Sequence, residues 1–160
     1  MVDMTDNPAS VVDEETFSVR RTIRIAASVD KVWRAVTEPE HISRWFGRTV
    51  LVGTGVGASG TMTFPDYGAV PLRVDEYDEP RRVSYSWCND DGADTRPDAF
   101  DAETATVFTF TLEPVADGTQ LTVVETGFER TSDPNANLAS HGIGWTLELD
   151  KLVAHLEGVA

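Results

Sequence analysis

Seven segments between Phe17 and Gly127 are separated by turn residues, and apolar and polar residues alternate clearly at every second position in five of them, 17–25, 69–77, 81–88, 104–114 and 119–127. A period of two is typical of strands that bury one face against a core. The pattern predicts strands at 17–25, 49–52, 59–64, 69–77, 81–88, 104–114 and 119–127. Short turn sequences join several of them, so we expect neighbouring strands to pair antiparallel. The apolar face of the resulting sheet then needs a cover.

Two short helices are predicted between the first and second of these strands. Ser28 can cap a helix whose apolar residues recur at i, i+3, i+4 and i+7, namely Val29, Val32, Trp33 and Val36. A second helix fits residues 38–46, because Thr37 and Glu40 have the spacing of a capping box and Gly47 follows.

The C-terminal segment predicts one long amphipathic helix. Asp133 and Pro134 are start signals, and Gly158 is a stop signal. Between them, apolar or small residues recur at helical spacing: Leu138, Gly142, Trp145, Leu149, Leu152 and Leu156. This helix is the longest element, so we expect it to cover the sheet.

The first 15 residues show neither period, contain Pro8 and are rich in acidic residues. We therefore expect a disordered acidic tail over residues 1–15. Residues 16–160 are predicted to form a single α+β domain, because a chain of this length fits one ordinary core.

The run RTIRIAASVDKVWRAVTEPEHISRWFG, residues 21–47, resembles the opening signature of bacterial homologues of the activator of the heat-shock-protein-ninety ATPase. The segments FTLEPVADGTQLTVVETGF and GWTLELDKLVAHLEG are similar to the last hairpin and closing helix of that family. The family belongs to the START-like SRPBCC superfamily. The resemblance implies a helix-grip fold, in which a curved antiparallel sheet of about seven strands wraps the C-terminal helix, with two short helices after the first strand.

The same resemblance implies a function. Proteins of this fold typically bind lipids, polyketides or other hydrophobic molecules in a cavity between the sheet and the last helix. We therefore expect a small hydrophobic partner that is lipid-like or polyketide-like. Two alternatives stay open: an enzyme of the polyketide cyclase or hydrolase-like type, and a chaperone-interacting module. A homodimer is a further option.

The residues themselves also favour a cavity. Large side chains of inward parity on the strands face a helix that carries Trp145 beside the small residues Gly142 and Gly144, so bulky walls opposite small ones could leave a pocket. The alternative is that these side chains interdigitate into a solid core. The candidate ligand-binding residues are Trp33, Trp45, Phe46, Phe64, Leu72, Tyr85, Trp87, Phe108, Phe110, His141, Trp145 and Leu149.

Three charged residues, Arg21, Glu76 and Glu125, occupy the apolar parity of their strands. A buried charge is costly unless it is paired. The implied fold places the first and last strands side by side, so we expect Arg21 and Glu125 to form an ion pair at one end of the cavity. The alternatives are a polar ligand group, escape to solvent, or a bulge that reverses the parity. In the enzyme alternative, Arg21, Glu125, His141 or Tyr85 would perform acid–base chemistry.

Charge and composition exclude other functions. The chain has 27 acidic and 13 basic residues, a net charge of −14, which disfavours nucleic acid and anionic membrane surfaces. No apolar run approaches the length that inserts into a membrane. We expect no metal, because three scattered histidines and one cysteine give no ligand spacing, and no cofactor, because the G-x-G-x-x-G at 55–60 precedes a strand. The single cysteine, Cys88, and the lack of an apolar leader predict a cytoplasmic protein.

Overall fold

The structure is a computed structural model, and it describes residues 7–65, 68–90 and 99–158. Its strands are β1 (Val11–Asp13), β2 (Ser18–Ile25), β3 (Arg48–Val52), β4 (Ser59–Phe64), β5 (Gly68–Asp78), β6 (Arg82–Trp87), β7 (Thr106–Val115) and β8 (Gly118–Thr126). The helices are α1 (Val29–Thr37), α2 (Pro39–Trp45) and α3 (Pro134–Glu157), with a short 3-10 turn at Phe128–Arg130. The strands form one curved antiparallel sheet in the order β1-β2-β8-β7-β6-β5-β4-β3. The predicted helix-grip fold is confirmed.

Local sequence signals explain where the helices begin and end. Ser28 caps α1 by accepting a hydrogen bond from the backbone N–H of Lys31 at 3.3 Å. The predicted capping box of α2 is wrong: Glu38 occupies the N-cap position, and the Thr37 hydroxyl instead donates to the Trp33 carbonyl at 2.6 Å. Asp133 caps α3, and Gly158 ends it in the left-handed conformation that glycine favours.

The expected disordered tail needs a correction. Residues 1–6 lie outside the described part of the chain, but Val11–Asp13 form β1 and pair antiparallel with β2, which makes eight strands rather than about seven. Contacts distant in sequence hold this segment. The Arg21 Nε atom donates to the Pro8 carbonyl at 2.7 Å, and the backbone N–H of Ser10 donates to the Thr146 hydroxyl at 3.0 Å. A three-residue strand is too short to show a period, so the sequence pattern could not reveal it.

A bulge in β5 corrects the placement of Glu76. Val74 pairs with Tyr85, whereas Glu76 pairs with Ser84, so the register shifts between these two positions of β5. The shift turns Glu76 away from the core. Its carboxylate is half-exposed and accepts hydrogen bonds from Arg82 Nε at 2.9 Å and from the Ser84 hydroxyl at 3.0 Å. Glu76 is therefore not a polar residue of the cavity.

The long helix α3 covers the concave face of the sheet. Its buried residues include Trp145, Leu149 and Leu152, which lie on the predicted apolar stripe, whereas Ile143 and Leu147 are exposed. Strands β2 and β8 are neighbours, as the family resemblance implied, with Arg21 opposite Val123. Among the described residues, no helix combines the length and apolar character that crossing a membrane requires.

Candidate binding cavity

An open cavity of about 260 Å³ lies between α3 and the sheet. Phe46 enters it from the end of α2, Phe64 from the end of β4 and Trp87 from the end of β6. The other lining residues are Asn89, Ser140, His141, Ile143, Gly144, Trp145, Leu147 and Glu148. Three strand or helix ends therefore supply one wall, and successive turns of α3 supply the other.

Four rings form a continuous aromatic wall, a name used here for Phe46, Phe64, Trp87 and Trp145. The Phe46 ring centroid lies 5.4 Å from that of Trp145, 5.7 Å from that of Trp87 and 5.8 Å from that of Phe64. These spacings and the steep angles between the ring planes are those at which aromatic pairs attract each other. The wall is thus held in place by its own packing and does not need a ligand to form it.

Deeper in the domain, the side chains fill the space. Only about 10 Å³ remains between α1, α2 and the centre of the sheet. The rings of Tyr85 and Phe108 stack there at 5.2 Å, and the Tyr85 hydroxyl donates to the Val36 carbonyl at 2.5 Å. Sequence analysis left open whether the large inward-facing side chains form a solid core or leave a cavity, and each alternative holds in one region. The interior is solid, and the described cavity opens where α3 passes the strand ends.

The predicted ligand-binding residues divide into three groups. Phe46, Phe64, Trp87, His141 and Trp145 line the open cavity. Trp45, Tyr85, Phe108 and Phe110, together with another side of Phe46, line the small interior void. Trp33, Leu72 and Leu149 are buried in the core and line neither space.

Sequence reasoning missed Asn89 and four cavity residues of α3, Ser140, Ile143, Leu147 and Glu148, and it noted Gly144 only as a small residue beside Trp145. Ser140, Gly144, Leu147 and Glu148 follow one another at i, i+4, i+7 and i+8, so they share one helix face beside the apolar stripe. A helical wheel drawn one position off the apolar stripe would have revealed them. Because polar and apolar residues are mixed on that face, its sequence pattern does not differ from that of an ordinary solvent-exposed helix face.

A buried carboxylate supports the wall from behind. Glu125 on β8 is fully buried. Its Oε1 atom accepts from Trp145 Nε1 and lies 2.8 Å both from that nitrogen and from His141 Nδ1. Its Oε2 atom accepts from Trp87 Nε1 at 2.8 Å and from the Thr106 hydroxyl at 2.5 Å. Glu125 therefore orients both indoles of the aromatic wall.

The partners of this cluster assign its protonation. An indole N–H can only donate, and Glu125 receives two of them, so the carboxyl group acts as an acceptor and is ionised. His141 faces acceptors on both sides, because its Nε2 atom lies 2.9 Å from the Asn89 carbonyl oxygen. Both ring nitrogens must then carry hydrogen, which makes His141 an imidazolium paired with Glu125.

The pKa of Glu125 follows from the same contacts. Burial alone would raise it, but the positive charge of His141 and hydrogen bonds from His141, Thr106 and Trp87 act together in the opposite direction. The pKa of Glu125 is thereby held below its ordinary value. Glu125 and His141 form a buried ion pair, which is stable only because its remaining hydrogen-bonding positions are also filled.

The expected pair between Arg21 and Glu125 is wrong. Arg21 is buried as predicted, but its Nη2 atom pairs with Asp150 Oδ1 at 2.7 Å and its Nη1 atom donates to the Thr146 carbonyl at 2.8 Å. Along the β2–β8 ladder, Glu125 lies opposite Val19 rather than Arg21. The Glu125 carboxylate already has four donors, Trp87, Thr106, His141 and Trp145. The acceptors of Arg21 on α3 are instead the Thr146 carbonyl and the Asp150 carboxylate.

The residues proposed for acid–base chemistry are all engaged in other contacts. Arg21 and Glu125 have the partners described above, and both ring nitrogens of His141 face acceptors. Burial raises the pKa of Tyr85, and the nearby Tyr77 adds to the rise, so its hydroxyl stays protonated. Burial also raises the pKa of the Cys88 thiol, against the sense needed for a nucleophile. Among the described residues, no three His, Cys, Asp or Glu side chains converge in a way that could hold a metal ion.

Solved structures share this architecture. Protein MLL2253 from Mesorhizobium loti is 24% identical, with a TM-score of 0.72 over 89% of this chain and 98% of that chain. DynU16, a putative protein in the dynemicin biosynthetic locus, is 28% identical, with a TM-score of 0.69 over 88% of this chain and 47% of that longer chain. The Aha1 dimer from Colwellia psychrerythraea is 19% identical, with a TM-score of 0.69 over 89% of this chain and 97% of that one.

The sequence comparison gives the family. No curated protein is significantly similar to this chain. The model of one protein family, described as activator of Hsp90 ATPase homolog 1-like protein, matches residues 26–157, which reach from the end of β2 to the end of α3. The chain therefore belongs to the family of activator of Hsp90 ATPase homolog 1-like proteins.

Proposed function

We propose that this protein binds a small, largely hydrophobic molecule, lipid-like or polyketide-like, in the cavity between α3 and the sheet. The observation that carries the proposal is the aromatic wall, whose four rings face an open space of about 260 Å³. Ligand sites typically occupy about 300–1,000 Å³ and are lined by apolar and aromatic side chains. The cavity lies just below that range, which favours a compact ligand or part of a longer one.

The Glu125 cluster supports a binding role. Its ion pair and hydrogen bonds fix the indoles of Trp87 and Trp145 before a ligand arrives. A preformed wall loses less conformational entropy on binding than a mobile one. Asn89 and Ser140 bring polar groups to the same cavity.

Binding fits the site better than catalysis does, because each predicted acid–base group is occupied by a structural contact. DynU16 is a putative protein of a biosynthetic locus, which supports a small-molecule ligand for the present chain as well. The second candidate is a chaperone-interacting module, favoured by the family description alone. The dimeric Aha1 of Colwellia psychrerythraea makes a homodimer a reasonable part of either proposal. We infer a cytoplasmic setting from the single cysteine, Cys88.

The test uses Gly144, which lines the cavity on α3. A Cβ atom added there would meet no heavy atom within 4 Å, so a larger side chain can enter the cavity without a clash at its base. We expect the neutral fluorescent probe N-phenyl-1-naphthylamine to gain emission with wild type and with the control Gly144→Ala. Gly144→Phe should weaken probe binding at least about tenfold, about 1.4 kcal/mol, because its ring occupies the cavity.

Equal probe binding by wild type and Gly144→Phe would show that the probe binds elsewhere. Native mass spectrometry of the purified protein would then identify a retained natural ligand. A chaperone module, in contrast, should retain no small molecule and should bind a partner protein equally well with either residue at position 144.

A further inference from the structure

In the described part of the chain, few ionisable side chains line the cavity. Among the described lining residues, the ionisable side chains are those of His141 and Glu148, and none is a lysine or arginine. The charge of His141 is balanced by Glu125 at 2.8 Å. The other ionisable lining side chain is the Glu148 carboxylate, in a protein whose net charge is −14.

Glu148 is only partly solvated. Its side chain is 21% exposed, and Lys151 Nζ lies 2.9 Å from its Oε2 atom. Burial raises the pKa of Glu148, although Lys151 acts against that shift. Within the described part of the chain, the structure shows no polar partner at the second oxygen, Oε1. Lys151 itself is 54% exposed and does not belong to the cavity lining, whereas Glu148 does, so the carboxylate has the capacity to accept from a further cation.

The neighbouring surfaces suit the same kind of ligand. Trp145 and Leu147 adjoin Glu148 on the lining face of α3. The face of an aromatic ring attracts a positive charge, most strongly for tryptophan. An anionic ligand such as a fatty-acid carboxylate would find no lysine or arginine among the described lining residues, would find His141 already paired with Glu125, and would be repelled by Glu148. The net negative charge also draws cations toward the protein.

We propose that the cavity selects a cationic amphiphile: an apolar or aromatic body that rests on the aromatic wall and a protonated amine that pairs with Glu148. This inference rests on the proposed function, because it names the class of ligand for the same cavity. It separates this protein from carriers of fatty acids and of other anionic lipids. The proposal also explains why a largely buried carboxylate, that of Glu148, lines an otherwise mostly apolar cavity.

The experiment compares three probes that share one bicyclic body: 2-naphthylmethylamine, 2-naphthylmethanol and 2-naphthoate. Binding is followed at neutral pH by NMR titration of the indole N–H signals, which Trp→Phe variants assign to Trp87 and Trp145. With wild type we expect the amine to bind about tenfold more tightly than the alcohol, and the carboxylate to bind most weakly. Glu148→Gln should bring the amine to within about twofold of the alcohol.

The matched control is Glu129→Gln, which removes the same charge from an exposed position outside the cavity. It should preserve the advantage of the amine. Equal affinities of amine and alcohol for wild type would overturn the cation preference, as would a loss of the advantage in Glu129→Gln as large as in Glu148→Gln. Binding of the alcohol in those cases would leave the proposed function standing. If none of the three probes shifts an indole signal, the proposed function and the cation preference both fail.

Discussion

Two buried charges, Arg21 on β2 and Glu125 on β8, lie on the same face of adjacent strands but are neutralised in different ways. Arg21 contacts backbone carbonyls and one carboxylate, that of Asp150, whose side chain is 43% exposed. Glu125 contacts only side-chain donors, all of them buried: Trp87, Thr106, His141 and Trp145. The first cluster joins segments of backbone, and the second joins side chains.

The two clusters also differ in their position relative to the cavity. The Arg21 guanidinium bridges the N-terminal segment at Pro8 and the middle of α3, and neither Arg21 nor Asp150 lines the cavity. The Glu125 carboxylate holds two of the four rings of the aromatic wall and the histidine beside them. We therefore expect damage to the Arg21 cluster to change stability alone, and damage to the Glu125 cluster to change both stability and binding.

The largest effect is expected for Glu125→Gln. The substitution leaves the imidazolium of His141 buried without a counter-charge and puts an amide N–H₂ among donors. Breaking a buried ion pair in this way costs about 3–5 kcal/mol of unfolding free energy. Urea denaturation measures it, and binding of N-phenyl-1-naphthylamine should weaken in the fraction that remains folded. Glu113→Gln, on the exposed face of the adjacent strand β7, is the control and should unfold close to wild type.

Arg21→Met is expected to cost less, about 2 kcal/mol, because Asp150 can be hydrated once its partner is gone while the Pro8 and Thr146 carbonyls lose a donor. Probe affinity should stay at the wild-type value. The exposed neighbour Arg20→Met is the control. Combined with Glu125→Gln, the costs should add to within about 1 kcal/mol, since Arg21 and Glu125 do not contact each other. Unfolding costs of the two substitutions that are far from additive would contradict the separation of the two clusters. Weakened probe binding by Arg21→Met alone would contradict it as well.

The sequence predicted the fold far better than the partners of these charges. Periodicity, together with turn, capping and stop residues, located the seven longer strands and the three helices, since burial of one face imposes a period on most of them. Parity also identified Arg21 and Glu125 as inward-facing. Their partners depend on how α3 crosses the sheet, which no local pattern encodes. The β5 bulge that exposes Glu76 and the tertiary contacts that order β1 are invisible for the same reason.

The pH dependence should also separate the clusters. The pKa of Glu125 is lower in the folded protein than its ordinary value of 4.5, so the folded state favours the ionised form. Its stabilising contribution is complete above about pH 4.5 and is lost as the pH falls through the lower folded value. The difference in unfolding free energy between wild type and Glu125→Gln should therefore shrink below about pH 4.5. The corresponding difference for Arg21→Met should change less, because Arg21 also donates to the backbone carbonyls of Pro8 and Thr146, whose acceptor strength does not depend on pH. Parallel curves for both variants would contradict this assignment.

The smallest expected effect compares two glycines on α3, one beside each region. A Cβ atom at Gly144 meets open cavity, so Gly144→Ala should raise the unfolding free energy by about 0.5–1 kcal/mol through helix propensity. A Cβ atom at Gly142 would lie 2.8 Å from Val12 Cγ2 on β1, so Gly142→Ala must displace the segment that Arg21 fastens. The propensity gain should there be offset, leaving the stability near wild type in thermal or urea unfolding. If Gly142→Ala stabilises as much as Gly144→Ala, β1 yields freely, and the Arg21 cluster does not hold the N-terminal segment against α3.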